Sequence, residues 1–252
     1  MIELDPSLPA HEAVYRSLRA SVMHGELHPA QSVTIRGVAD KFGTSMTPAR
    51  DAVRRLSAEG ALSISSTGRV STPELSHDRI EELASIRAML EPELAARALP
   101  RAHMNLLERL SNTNSLIDQA IVKDDAVGYI RRNLEFHRML YLRAQAPAML
   151  ALVETVWLQL GPTMRSLYAQ LQSREASHNH RLALAALEAG DEPSVKLAIR
   201  AHVTQGLRTL GSDKIIFAVK ISVAAKSYWR SIPPYAVTTN HLTTHPQEQP
   251  CR

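Results

Sequence analysis

The segment Ile35–Arg55, IRGVADKFGTSMTPARDAVRR, constrains this chain most, because it reads as two short helices that must part at Gly43. Ile35, Val38, Ala39 and Phe42 recur at helical spacing, and then the pattern breaks. Glycine takes up the left-handed backbone of a tight inter-helix turn without strain. Thr44-Ser45-Met46-Thr47-Pro48 follows, in which either hydroxyl residue can cap a second helix and Pro48 suits its first turn. That helix carries Ala49, Ala52, Val53 and Leu56 on one face, with Arg50, Arg54 and Arg55 largely away from it. A helix anchored by an apolar stripe and presenting arginines near its start suits a DNA major groove. The same spacing also suits an ordinary amphipathic helix pair.

The residues on either side favour the groove. Leu62–Ser65 and Val70-Ser71 are short alternating runs, and Ser66-Thr67-Gly68-Arg69 between them reads as a glycine turn with a basic tip. An upstream helix, from about His11 to Met23, supplies Val14, Leu18 and Val22 as its buried side. A helix-turn-helix followed by such a hairpin is a winged helix. The run VYRSLRASVMHGELHPAQSVTIRGVADKFGTSMTPARDAVRRLSAEGAL resembles the DNA-binding domain of GntR-type transcriptional regulators in order, spacing and its Thr-Pro-x-Arg core. The resemblance implies that Arg36, Ser45, Thr47, Arg50, Gly68 and Arg69 contact double-stranded DNA. Arg50 would read guanine, since its fork can engage O6 and N7 together. Ser45 and Thr47 would meet phosphates or position the helix N-terminus, which itself favours an anion. Met46 departs from the many relatives that carry arginine there, which implies a lost contact and an altered operator. For at least one of Arg54 and Arg55 a solvated helix face is the expected role.

Bulk charge supports this reading less than it first suggests. Lys and Arg number 29 against 25 Asp and Glu, yet residues 1–75 are balanced, and only the span Arg36 to Arg69 is positive. DNA binding would therefore rest on local arrangement, doubled by dimerisation. The single cysteine, Cys251, excludes a disulfide framework and implies a reducing compartment. Met1–Asp5 is not a basic, apolar-cored signal peptide, and Ile215–Ala225 is too short to span a bilayer. A cytoplasmic protein without membrane contact is expected.

After Thr72-Pro73-Glu74-Leu75 the pattern turns helical almost throughout. Ile80, Leu83, Ile86, Leu90 and Leu94 form one stripe, and further helices fit Leu106–Ile121, Ala126–Ala144, Pro147–Leu167, Ser177–Ala189 and Glu192–Leu210. The expected fold is mainly α. A winged helix-turn-helix over residues 1–75 precedes an antiparallel all-α bundle of about six helices over 76–211. The tail 212–252 has no sustained period and turns polar; it could pack as an edge strand or bind a partner, and disorder is expected for about its last fifteen residues.

Asn133 and His137 stand four apart, hence on one helical face. If the last two helices are antiparallel neighbours about Gly190-Asp191, His180 and His202 come level with each other. Three imidazoles and one oxygen could then converge on a divalent transition metal, although scattered histidines also serve as surface or core residues. The segments RIEELASIRAMLEPELAARAL, NLEFHRMLY and HRLALAALEAGDEPSVKLAIRAHV resemble the helical FCD effector domain, which points to the FadR branch of the GntR regulators. That resemblance implies Asn133, His137, His180 and His202 as ligands for a metal, zinc or nickel being usual, with His178 a nearby competitor for His180. It also implies an effector-contacting role for Arg87, against the plain alternative of an ion pair with Glu91 one turn away.

Four neutral donors would leave a dication uncompensated, which predicts a small carboxylate effector. The family implies a homodimer on a near-palindromic operator, with repression relieved by a metabolite and coupling through Thr72–Ser76. Two rivals stand beside this. One is a metal-dependent hydrolase with Glu135 or Glu175 as base; the other is a zinc-stapled interaction module. No Gly-x-Ser-x-Gly motif or phosphate-cradling glycine loop supports an enzyme.

Overall fold

Helix α1 (Ala10–Met23) buries Ala13, Val14, Leu18 and Val22, and its side faces α3 (Met46–Ala58), which turns in Ala49, Ala52, Val53 and Leu56. Between them α2 (Ile35–Phe42) starts where the Thr34 side chain accepts from the Gly37 amide at 2.9 Å. It stops at Gly43, whose φ of 61° is the left-handed cap expected there. These features belong to a computed structural model, which describes residues 4–168 and 177–208. Ser45 occupies the N-cap of α3, yet its side chain makes no capping bond.

Strands β1 (Ser63–Ile64) and β2 (Val70–Ser71) pair antiparallel, with Ser63 opposite Ser71 and Ile64 opposite Val70. Gly68 turns the wing with φ 78°. One pairing was not foreseen: Ser32 bridges Ser71, and the Val33 amide donates to the Val70 carbonyl at 2.9 Å. The wing is thereby tied to the chain just ahead of α2.

Six further α-helices follow among the described residues: α4 (His77–Ala98), α5 (Met104–Val122), α6 (Ala126–Tyr141), α7 (Pro147–Tyr168), α8 (His178–Ala189) and α9 (Glu192–Arg208). Their core gathers Leu94, Leu110, Ile117, Phe136, Leu140 and Ile199. The left-handed Gly190 (φ 68°) closes α8 and sends α9 back along it. The stripe foreseen on α4 holds at Ile80, Leu83 and Leu94, which are buried, and is joined by a charged pair that it did not include. Ile86 and Leu90 are only half-buried, whereas Arg87 and Glu91 are buried. The expected tail beyond residue 211 lies outside the described residues.

Helix α7 serves both parts of the chain. Val153 and Trp157 belong to the bundle core, but Leu158, wholly buried, packs into the winged-helix core beside Val22 and Leu56. The next residue, Gln159, donates to the Glu59 carbonyl at 3.0 Å and accepts from Arg79 at 3.0 Å. Arg165 donates to the Gly25 carbonyl at 3.3 Å. Gly161 lies so close to the end of α1 that a Cβ there would overlap the Val22 carbonyl oxygen. The linker at Thr72–Ser76 is therefore not the sole connection between the winged helix and the bundle.

Candidate metal centre and nucleic-acid interface

Three helices bring the histidines together. His137 comes from α6, His180 from the first turn of α8, and His202 from α9. One nitrogen from each lies within 4.8 Å of the other two. The His180 and His202 ring centroids are 4.2 Å apart, and His137 Nε2 sits 3.1 Å from His180 Nε2. His137 and His180 are fully buried; His202 keeps some residue surface, but its Nδ1 is closed to solvent. His178 is exposed and does not compete.

Three polar atoms here have no hydrogen-bond partner among the described residues: Asn133 Oδ1, His180 Nδ1 and His202 Nδ1. Buried polar groups seldom go unpaired, and a cluster of them with this donor chemistry fits a divalent transition metal. Asn133 is buried one turn ahead of His137 on α6. Burial holds all three imidazoles neutral, the form that binds metals. The Arg87 charge adds to this on His137 and His202, and the close rings would repel one another if more than one took up a proton. His180 is pushed down to about 3.

That depression makes a pH prediction. A histidine whose folded pKa lies below its unfolded value supports the fold fully above the unfolded pKa, and the support fades as pH falls toward the folded one. Between pH 6.5 and 5, His180 alone should remove about 2 kcal/mol of metal-free stability. Urea midpoints at the two pH values measure this. A His180→Gln variant as pH-sensitive as the parent would refute it.

Behind the histidines stands a polar chain of which the sequence pointed only to Arg87 and Glu91. Arg87 Nε donates to Glu91 Oε1 at 2.5 Å, and Trp157 Nε1 donates to the same oxygen at 2.9 Å. The Tyr141 hydroxyl reaches Glu91 Oε2 at 2.9 Å and His137 Nδ1 at 3.0 Å. Glu91 is wholly buried and the Arg87 side chain is 7% exposed. Burial opposes the Arg87 charge, but Glu91 outweighs it and holds the guanidinium pKa up. Arg87 thus forms the ion pair weighed earlier as its alternative. Its terminal nitrogens make no hydrogen bond among the described residues. The signal for Tyr141 was present as a phenol one turn after His137. Trp157, arriving from another helix, had none.

The DNA-facing candidates are all at the surface. Arg36, Ser45, Thr47, Arg50, Gly68 and Arg69 are exposed on α2, α3 and the wing. Arg50 makes no ion pair among the described residues, while the Arg36 side chain, 86% exposed, only approaches Asp40 at 4.0 Å. Met46 is also exposed. Arg55 is structural: it donates to Glu12 at 2.9 Å and stacks 3.5 Å above the Tyr15 ring. Arg54 stays solvated beside Asp51. Glu135, one of the hydrolase candidates, is turned outward onto Arg132 at 2.6 Å, and Glu175 lies outside the described residues.

Two family profiles match this arrangement. That of the bacterial regulatory proteins of the gntR family covers residues 10–70, and that of the FCD domain covers residues 82–205. The chain belongs to the GntR family and carries an FCD domain. The HTH-type transcriptional regulator McbR of Escherichia coli (strain K12) is 28% identical over 200 residues, 78% of this chain and 90% of that protein. A relative from Paenarthrobacter nicotinovorans, described as "Probable D-xylose utilization operon transcriptional repressor", is 26% identical over 186 residues, 72% of this chain and 80% of its own. The solved structure of E. coli McbR/YncC superposes with a TM-score of 0.74 at 25% identity, covering 88% of this chain and 99% of that one. This GntR-family chain is a transcriptional regulator, as its relatives are, and not an enzyme. Among its described residues no helix is long and apolar enough to cross a membrane.

Proposed function

We propose that this GntR-family regulator is a metabolite-responsive repressor. Residues 1–75 would bind DNA; residues 76–211 would hold a divalent transition metal, zinc or nickel, through Asn133, His137, His180 and His202, and would pair two chains into a homodimer. The observation that carries the reading is the buried three-histidine cluster with its unpartnered polar atoms, within the FCD domain of a chain that presents an exposed α3 and wing. A bound ion would supply positive charge and a coordination position for a small carboxylate effector. The charge of Arg87 already bears on His137 and His202, which favours an anion there. Its terminal nitrogens would meet the effector while Nε stays with Glu91.

An effector changes operator affinity only by favouring one domain arrangement over another. Helix α7 is suited to transmit that preference. Trp157 holds Glu91 behind the metal centre, and the adjacent Leu158 and Gln159 engage the winged helix. The test is selection of genomic fragments by the purified protein at fixed salt, then footprinting with and without zinc or nickel and a panel of small carboxylates. An enriched near-palindrome whose occupancy falls on adding metal plus one acid is expected. No enrichment above non-specific binding, under any combination, would reject the reading.

Arg50 gives the sharpest test at the interface. Arg50→Ala should weaken the selected operator by about 1–3 kcal/mol, a factor of roughly 5 to 150, and relax preference at one guanine. Its exposure means that the thermal midpoint should barely move. Equal losses on operator and random DNA would make Arg50 a phosphate contact instead.

A further inference from the structure

We propose that Glu91, acting through the Tyr141 hydroxyl, sets the proton of His137 on Nδ1, so that Nε2 faces the histidine cluster as a bare donor. Glu91 and Tyr141 are then positioning residues for the metal. This inference rests on the metal-binding reading above and deepens it.

Trp157 Nε1 and Arg87 Nε can only donate, and both point at Glu91 Oε1, which makes that oxygen an acceptor. Glu91 is wholly buried beside the Arg87 guanidinium, so the pair places an anionic carboxylate behind the histidines. The other oxygen, Oε2, takes the single hydroxyl proton of Tyr141 at 2.9 Å. With that proton committed, the Tyr141 oxygen can only accept from His137 Nδ1, 3.0 Å away. A neutral imidazole with its proton on Nδ1 carries its lone pair on Nε2. That atom is the one that meets His180, at 3.1 Å. The orientation is equally determined. Tyr141 stands one helical turn after His137 on α6, Glu91 is on α4 and Trp157 is on α7, so three helices hold one ring. A partner that fixes the tautomer of a ligating histidine also raises its basicity, and losing such a partner commonly costs 10–100-fold in metal affinity.

The chain also changes the charge balance of the centre. Four neutral donors do not compensate a dication, but a carboxylate one hydroxyl away from a ligating ring does so in part. Arg87 offsets that carboxylate through Nε, so an acid that shares the guanidinium charge at its terminal nitrogens would leave more of the Glu91 charge acting on His137.

The test uses the full-length protein labelled with nitrogen-15 in histidine. Two-bond nitrogen–proton correlations in the metal-free protein report the His137 tautomer, assigned by comparison with His137→Gln. Zinc affinity is read in parallel by competition with a chromophoric chelator. The wild type should show the Nδ1–H form. Tyr141→Phe, which keeps the ring, should lose that signature and bind zinc on the order of 10–100-fold more weakly. An Nε2–H form in the wild type would overturn the inference without any variant. An unchanged tautomer and affinity in Tyr141→Phe would overturn the relay while leaving the metal reading intact. A wild type that binds no zinc or nickel would bring down the metal reading itself, and this inference with it.

Discussion

Glu91→Leu should cost about 3–5 kcal/mol of stability, the loss expected when one member of a buried ion pair is removed. Arg87 would keep its charge with nothing to balance it, since its side chain is 7% exposed and that of Glu91 is wholly buried. Two more donors, Tyr141 Oη and Trp157 Nε1, would lose their acceptor at the same time. Against a typical total of about 5–15 kcal/mol, such a loss leaves the fold marginal. Pairing the change with Arg87→Met removes the unbalanced charge and should restore a large part of the stability, because an apolar pair of similar volume often replaces a buried salt bridge without penalty. Urea denaturation of the two variants measures both effects. If Glu91→Leu shifted the midpoint no more than a surface substitution, or if the double variant were as weak as the single one, the buried network would not carry the stability assigned to it.

Gly161→Ala should destabilise the chain by about 3 kcal/mol, the upper end of overpacking costs, and its sign is what makes it informative. Gly161 lies inside α7, where exchanging glycine for alanine ordinarily gains about 1 kcal/mol of helix propensity. Here a Cβ would overlap the Val22 carbonyl oxygen and come within 2.8 Å of Met23 Cα, both of them backbone at the end of α1. Backbone cannot swing aside as a long side chain can. Gly161 also precedes Pro162, and a Cβ before proline disfavours the helical conformation that α7 maintains there. The bundle and the winged helix should part at this contact, giving an earlier, separate transition for the winged helix. Operator affinity should then respond less to metal and effector. A variant more stable than the parent would mean that the close approach does not hold the two parts together.

Local elements were legible because their determinants are local. Gly43, Gly68 and Gly190 stand where the chain needs a left-handed backbone, and each has positive φ in the structure. Apolar spacing placed α5 to α9 closely, since period alone decides which residues can share a helical face. The register of His180 and His202 about Gly190 followed from the same arithmetic, and their rings meet. On α4 the arithmetic was right for Ile80, Leu83 and Leu94 but incomplete. Ile86 and Leu90 look like core, and Arg87 and Glu91 look like an ion pair across one helical turn, yet the charged pair is the more deeply buried. What reverses the order is Tyr141 and Trp157, fifty and sixty-six residues further along, which satisfy the carboxylate once it is inside.

The same division runs through the whole protein. Its sequence by itself determined the winged helix, the helical bundle, the family they identify and the face that α3 shows to solvent. All of these rest on spacing within a few turns of chain, where hydrophobic period and glycine backbone freedom act without outside help. Only the tertiary structure decided that Arg87 is held by Glu91, that His137 is backed by a phenol and a carboxylate, and that α7 seats Leu158 in the winged-helix core. Those outcomes depend on whether a buried charge finds enough donors and whether two backbones can touch, and both conditions are met by residues far apart in the chain.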